Sequence, residues 1–515
     1  MKEGSKEKSE TMKVLAGTIM VDKDYAGSLI DDRIYGGFIE HMGRCVYGGI
    51  YEPAHPEADE QGFRPDVIAL AKELKVPIIR YPGGNFVSGF RWEDSVGPLA
   101  QRPVKLDPAW KSIEPNQVGL HEFSRWASRV NADVMMAVNL GTRGAAESAE
   151  LLEYCNHPGE TYWSDLRAKH GQKEPYGFKV WCLGNEMDGP WQICHKSADE
   201  YGVLSREAGK LMKRIDASIE LVTCGSSGMY LPTYPEWDTV VLDHTYEYSD
   251  YLSVHMYLND KESSLTDYLS KSLRMDEYIR SIIAVCDYVK AKRRSDKTMY
   301  LSFDEWNVEP ATWQKNEVWD WQIGPALCEG HYSMADAAVF GTMIISLLKH
   351  SDRVKIACLA QLVNVFGPIM TERDPRIPAW KQTIYYPFLH ASLYGRGRVV
   401  PIIANVPKSD TRQFTDVPQL EAVGVLKEDT GELTIFAVNR SVADALALQI
   451  DLRGFEAFTV REHIQLSSPD VNRGNSAALP EAVVPVRHVL ESPGSGMMQV
   501  ELEPVSWNVL RFMKA

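Results

Sequence analysis

The amino-acid sequence predicts an α/β protein: a (β/α)₈ TIM barrel carrying a second, all-β domain of sandwich or jelly-roll type. Three observations carry the prediction. Eight near-continuous apolar runs alternate with helical patterns between residues 30 and 393. The runs end in Asn, Glu, His or Gln more often than in ordinary turn residues. From about Gly395 helical periodicity gives way to short strands separated by turn signals. Apolar runs without alternation suit parallel strands covered on both faces, and strand–helix alternation builds a parallel sheet.

The runs lie at 34–39, 76–81, 133–140, 179–183, 220–224, 251–256, 298–303 and 354–359. Helical patterns between them include 65–74, 119–129, 198–215, 273–294 and 334–349. Pro65 with Asp66 behind it suits a first helical turn, where the missing proline N–H would have had no partner. A barrel of this kind carries its chemistry at the C-terminal ends of the strands. Those ends read Glu40-His41, Arg80 with Gly83-Gly84-Asn85, Asn139, Asn185-Glu186, Ser226-Ser227, His255 and Tyr257, Glu305-Trp306, and Gln361.

Beyond Gly395, short apolar segments fall at 420–426, 433–438, 445–452, 458–465 and 498–512, with a loop at 471–478. Asp429-Thr430-Gly431 between two of them predicts a hairpin. Extended segments near 13–29 are expected to join this domain, making it discontinuous. The expected division is a tail at 1–12, a catalytic barrel at 30–393, and a β-sandwich made of 13–29 plus 394–515.

The 515-residue length fits two domains. A net charge of -15 argues against nucleic acid or an anionic membrane as partner, and fits a neutral ligand. The eight cysteines form no C-x-x-C pair, as expected of free thiols in a reducing compartment with no zinc site. The Lys/Glu/Ser-rich start lacks the apolar core of a signal peptide, and the apolar run 337–348 is too short to span a bilayer. A cytoplasmic location is the expectation. Gly83-Gly84 lies in no G-x-G-x-x-G or phosphate-loop pattern and reads as a tight turn delivering Asn85. No cofactor and no metal are expected.

Glu186 closes the fourth run and Glu305 the seventh. Across a barrel mouth the two would face each other. Cleaving a glycosidic bond needs a proton for the leaving oxygen and stabilisation of a sugar cation, and two carboxyl groups supply both.

The stretches Gly37-Phe38-Ile39-Glu40-His41-Met42-Gly43-Arg44, Arg80-Tyr81-Pro82-Gly83-Gly84-Asn85-Phe86, Trp92-Glu93-Asp94, Gly184-Asn185-Glu186-Met187-Asp188-Gly189 and Asp304-Glu305-Trp306-Asn307-Val308 occur in that order. In these the chain resembles the α-L-arabinofuranosidases of glycoside hydrolase family 51, retaining (β/α)₈ glycosidases, along nearly its whole length. The resemblance implies Glu186 as general acid/base and Glu305 as nucleophile. It implies Glu40, Asn85, Asn185 and Gln361 as hydrogen-bonding partners of an arabinofuranose, with Tyr257 orienting the nucleophile. Arg80 is expected to pair with a carboxylate under the site, His255 to support it by hydrogen bonding, and Trp92 to serve as a sugar platform. His41 reads as structural. The implied substrates are arabinofuranosyl oligosaccharides derived from arabinan or arabinoxylan, and the implied assembly is a homo-oligomer, often a hexamer. Relatives often carry an aromatic residue just after Asp-Glu-Trp-Asn-Val; this chain has Glu309 and Pro310 there, with Trp313, Trp319 and Trp321 following. Two other readings stand beside this one: an endo-acting β-glucanase of the same family, and a non-catalytic sugar-binding barrel.

Overall fold

Eight parallel strands close a barrel in strict chain order: Gly36–Phe38, Ile78–Tyr81, Asp133–Val138, Val180–Leu183, Glu220–Cys224, Tyr251–Leu258, Tyr300–Val308 and Val354–Ala360. The last pairs with the first through Cys358 opposite Gly36. This is a computed structural model, and it describes residues 14–260, 263–312, 321–455, 458–489 and 498–514. The tail expected at 1–12 lies outside them. The strands are buried on both faces, as their unbroken apolar runs require: every residue of Ile78–Tyr81 and Val180–Leu183 is buried.

Helices wrap the barrel and start where their caps dictate. Pro65–Glu73 carries its proline in the first turn. Ala198–Ile215 and Met334–Lys349 begin at Ser197 and Ser333, whose hydroxyls accept from the Glu200 and Asp336 N–H groups, closing two capping boxes. Met334–Lys349 is apolar around its whole circumference, and every residue from Met334 to Leu348 is buried. One side packs on the barrel and the other on a sheet of the second domain, which accounts for the apolar run at 337–348. Among the described residues no helix is long and apolar enough to cross a membrane.

The rest of the chain forms two further principal sheets. Six strands, Arg398–Val400, Leu420–Lys427, Glu432–Asn439, Ser506–Lys514, Phe458–Leu466 and Val486–His488, pair antiparallel in that spatial order. Gly431 at φ +63° turns the expected hairpin between the second and third. The other sheet orders Ile402–Asn405, Val14–Asp22, Ala445–Arg453 and Met498–Leu502, so the N-terminal strand lies inside the C-terminal domain. The Gly27 and Ile30 N–H groups donate to the Val399 and Gly397 carbonyls where the chain passes into the barrel.

Side-chain alternation makes the six-stranded sheet two-faced. Leu433, Ile435 and Ala437 join the core between the two sheets, whereas Phe436 and Val438 join the barrel's core. Leu510 and Phe512 follow the first group and Trp507 and Val509 the second. At this seam Phe436 stacks on Trp507, and a Cβ on Gly341 would lie 2.5 Å from the Trp507 ring. Gly341→Ala is therefore expected to lower the thermal unfolding midpoint, the overpacking cost of about 1–3 kcal/mol exceeding the roughly 1 kcal/mol gained in helix propensity. A raised midpoint would contradict that packing.

Candidate active site

The fourth barrel strand ends at Leu183, and the chain then turns through Gly184 at φ +90° and Glu186 at φ +44°. A left-handed glutamate is uncommon, and such backbone strain clusters at functional sites. The turn carries Glu186 to the barrel mouth, where it lines a cavity of about 420 Å³. Glu305 lines the same cavity from the seventh strand. That strand shifts register between Ser302 and Glu305 relative to its neighbour. The irregularity breaks simple alternation, so the consecutive carboxylates Asp304 and Glu305 both face Arg80.

Arg80, at the end of the second strand, is fully buried and joins the pieces. Its Nη1 donates to Glu305 Oε1 at 2.6 Å and its Nη2 to Asn185 Oδ1 at 2.6 Å. Its Nε lies 3.6 Å from Asp304 Oδ2, and its guanidinium lies 4.8 Å from the centroid of the Phe38 ring. Tyr257 donates to Glu305 Oε2 at 2.9 Å. Both Glu305 oxygens are thus held.

His255 stands between the two glutamates. Its Nδ1 is 3.0 Å from Glu186 Oε1 and its Nε2 is 3.2 Å from Asp304 Oδ1. Burial opposes the charged ring, but the Glu305 carboxylate and the bonds to Asp304 and Glu186 outweigh it and push its pKa up to about 10. The ring is then an imidazolium at neutral pH and donates from both nitrogens. Asp304 is pressed the other way: burial raises it, yet Arg80 and His255 hold it below the usual carboxylate range.

Glu40 forms the opposite wall. Its Oε1 accepts from the Phe86 N–H and the Trp110 indole N–H, each at 2.9 Å, and its own N–H donates to Gln361 Oε1 at 3.0 Å. Burial first, and the nearby Glu305 charge second, push its pKa up to about 8 despite those donors. Glu40 is then a neutral acid able to donate a hydrogen bond. A Cβ on Gly84 would come within 3.0 Å of Glu40 Oε2 and 3.1 Å of Glu305 Oε1, so this backbone passes between two carboxylates where a side chain would crowd both.

A pKa raised by folding makes the folded state the proton-rich one, so the linked stability falls as pH rises. For Glu40 that contribution is complete below about 4.5 and lost by about 8; for His255 it is complete below about 6.5 and lost by about 10. Unfolding free energy is expected to keep falling between pH ~8 and ~10, and to fall less steeply in His255→Gln. Equal slopes in denaturant titrations of the two proteins would contradict the charged His255.

The cavity gathers Glu40, Asn85, Glu186, Tyr257, Glu305 and Gln361. Asn185 sits one layer below, buried on Arg80, with its Nδ2 3.4 Å from Asn85 Oδ1. Trp92 is the exception and a correction to the sugar-platform expectation. It is 7 % exposed and packs against Tyr154 and Trp163 behind the second and third strands, away from this cavity. Ser226 and Ser227 hold the buried Asp238 and Asp188, and His41 is buried on Glu114 and Tyr81.

One ligand atom each from Glu186, His255 and Glu305 lies within 4.8 Å of the others, a spacing a cation could bridge. With His255 protonated and Arg80, Tyr257 and the Trp191 indole N–H already donating to these carboxylates, the group fits a hydrogen-bonded acid pair better than a metal cage.

Two family models match the chain: the α-L-arabinofuranosidase 1 domain over residues 70–280 and the α-L-arabinofuranosidase C-terminal domain over 304–506. An intracellular exo-α-(1→5)-L-arabinofuranosidase of Halalkalibacterium halodurans is 54% identical over 504 residues, covering 97% of this chain and 99% of that one. An exo-α-(1→6)-L-arabinofuranosidase of Bifidobacterium longum is 44% identical over 509 residues, covering 96% of each. The solved structure of a family 51 α-L-arabinofuranosidase from Bifidobacterium longum superposes with a TM-score of 0.91 at 40% identity, covering 96% of this chain and 99% of that one. The chain belongs to glycoside hydrolase family 51, the α-L-arabinofuranosidases.

Besides Phe38, which lies in the first of the family stretches, four aromatic residues that line the cavity were not expected there from the sequence: Trp110, Trp191, Tyr230 and Phe366. Trp110 reaches it from a short hairpin of Lys105–Asp107 and Ser112–Glu114, which offers no periodic signal. Trp191 and Tyr230 form the rim, and Trp191 donates its indole N–H to Glu186 Oε2 at 2.5 Å. Gly189-Pro190-Trp191, so soon after the family's Asn-Glu pair, was the available clue. Of the later tryptophans, Trp313 and Trp319 lie outside the described residues, and Trp321 is exposed and does not line the cavity.

Proposed function

We propose that this family 51 chain hydrolyses terminal, non-reducing α-L-arabinofuranosyl residues of arabinan- or arabinoxylan-derived oligosaccharides, with retention of configuration. One observation carries the reading: a Glu186 oxygen lies within 4.8 Å of a Glu305 oxygen across the barrel mouth. Carboxylates ~5–5.5 Å apart leave no room for water between base and sugar, so one must attack the carbon itself; inverting pairs stand ~6.5–9.5 Å apart.

In the first step Glu305 attacks the anomeric carbon while Glu186 gives its proton to the departing oxygen. An arabinosyl–Glu305 ester and an alcohol result. In the second step Glu186 takes a proton from water, the water oxygen attacks the same carbon, and the ester bond breaks. Arg80 and Tyr257 each donate to one Glu305 oxygen and hold the carboxyl group aimed. Glu40, Asn85, Asn185 and Gln361 are assigned to the sugar hydroxyls; a furanose needs such paired donors and acceptors. His255 holds Glu186 and Asp304 in register.

By likeness to the 54%-identical relative we assign the (1→5) linkage and an intracellular, cytoplasmic site of action. We divide the chain into a barrel at 30–393 and a sandwich at 13–29 plus 394–515, and infer a homo-oligomer; light scattering at the mass of one chain would remove the oligomer. The test of the activity compares 4-nitrophenyl α-L-arabinofuranoside, arabinotriose and β-glucan, following products by NMR. Arabinose released as the α-anomer first, from the first two only, is expected. Release of oligosaccharides from β-glucan, a β-anomer first, or binding without hydrolysis would each defeat the reading.

A further inference from the structure

We propose that Asp188 is a positioning residue for Glu186: it ties the loop that carries Glu186 to a fixed point at the end of the fifth barrel strand, and so keeps the proton donor on the leaving oxygen. The inference rests on the arabinofuranosidase reading above and adds what holds the acid in place.

The fixed point is Ser226-Ser227. Strand five ends at Cys224, and the Gly225 N–H donates to the Ser253 carbonyl of strand six at 2.9 Å. A Cβ on Gly225 would lie 2.4 Å from that carbonyl oxygen and 2.7 Å from Asp238 Oδ1, so the close approach needs a glycine. Asp238, on the helix Glu236–Thr245, accepts from the Ser226 N–H at 2.8 Å and from the Ser226 hydroxyl at 2.5 Å. Tyr278, on the helix Ser272–Arg293, donates its hydroxyl to the Ser226 carbonyl. The end of strand five is therefore fastened to two helices and to the next strand.

Asp188 repeats the Asp238 arrangement one residue further on. Its Oδ2 accepts from the Ser227 N–H at 2.9 Å and its Oδ1 from the Ser227 hydroxyl. Both residues are buried, so water competes little for these bonds. Two neighbouring serines are thus each gripped by a carboxylate, one from an outer helix and one from the loop of the acid.

The loop it ties down is strained. Glu186, two residues earlier, sits at φ +44°, a conformation that a non-glycine residue keeps where its surroundings impose it. The Gly189 N–H donates to the Glu186 carbonyl at 2.8 Å and the Lys196 N–H to the Met187 carbonyl at 2.9 Å. Those two bonds stay within the loop, whereas the pair at Ser227 reaches across to another strand. Without that pair the turn is free to relax, carrying the Glu186 carboxyl group off its bond to His255 and away from the leaving oxygen.

The test is the ratio of kcat/KM for α-(1→5)-arabinobiose, whose alcohol leaves only when protonated, to that for 2,4-dinitrophenyl α-L-arabinofuranoside, whose phenolate leaves unaided. Both constants report the glycosylation step. In Asp188→Ala the ratio should fall about tenfold; a fall smaller than about threefold overturns the proposal, because a merely loosened fold lowers both constants together. Asp188→Asn keeps an acceptor for the Ser227 N–H and gains an amide that donates to the Ser227 hydroxyl, so its ratio should stay within about threefold of the wild type. A larger fall there overturns the tie and assigns the effect to the charge of the carboxylate. Ser227→Ala spares the backbone bond and serves if Asp188→Ala does not fold: its ratio should fall about threefold, and a fall below about twofold overturns the proposal. A wild type that releases arabinose from neither substrate defeats the arabinofuranosidase reading itself; an active wild type with an unmoved ratio in the variants defeats only the role of Asp188.

Discussion

Glu305→Ala is expected to lose turnover of arabinofuranosides by on the order of 10⁴-fold or more, because no ester can form at the anomeric carbon. The fold should survive the change in recognisable form. Arg80 keeps Asp304 and Asn185 beside it, so the buried guanidinium is not stranded. Added azide should then enter the vacated face, attack the carbon that Glu305 used to attack, and give a β-arabinofuranosyl azide. The leaving alcohol still takes its proton from Glu186. Rescue with that stereochemistry separates a missing nucleophile from a collapsed site, since a collapsed site is not rescued by a small anion. An unchanged rate in the variant would remove Glu305 from the mechanism.

Glu186→Ala is expected to split substrates by leaving group. Natural glycosides, whose alcohols depart only when protonated, should lose about 10³–10⁴-fold in kcat/KM; a dinitrophenyl arabinofuranoside should lose less than about tenfold. Its kcat should still fall, because water in the second step has lost its base, and azide should restore it by giving an α-azide. The two glutamates thus predict azides of opposite configuration. Equal losses on both substrates would show that Glu186 acts by holding its neighbours and not by proton transfer. Its bonds to His255 and Trp191 make that a real alternative for this position.

Much of the fold was legible because burial on both faces leaves a mark no other strand leaves. The run 180–183 is wholly apolar since the barrel core lies on one side and helices on the other. The helix Met334–Lys349 was legible for the same reason, though its circumference of apolar residues hid which neighbour lay on which side. The edge strands Ile402–Asn405 and Val486–His488 were not legible: they are short and largely exposed, so no period develops. Within the site, residues on strand ends could be read because their place follows from the strand. Glu40, Arg80, Asn185 and Gln361 belong to that group. Trp110, Trp191 and Tyr230 could not, because their place depends on loop paths. Trp92 misled for a related reason: a tryptophan near a motif is as good at filling a gap between Tyr154 and Trp163 as at holding a sugar. The shared hold of Arg80 on both Asp304 and Glu305 depends on an irregularity in strand seven, and nothing in the alternation of residues 300–308 announces it.

The most direct test of the two-glutamate account is to trap the ester. Glu186→Ala, mixed with 2,4-dinitrophenyl α-L-arabinofuranoside and quenched in acid, should carry the mass of one pentosyl residue, and peptide mapping should find it on Glu305. A pentosyl group on any other residue, or rapid release of arabinose in the inverted configuration with no adduct at all, would contradict the account.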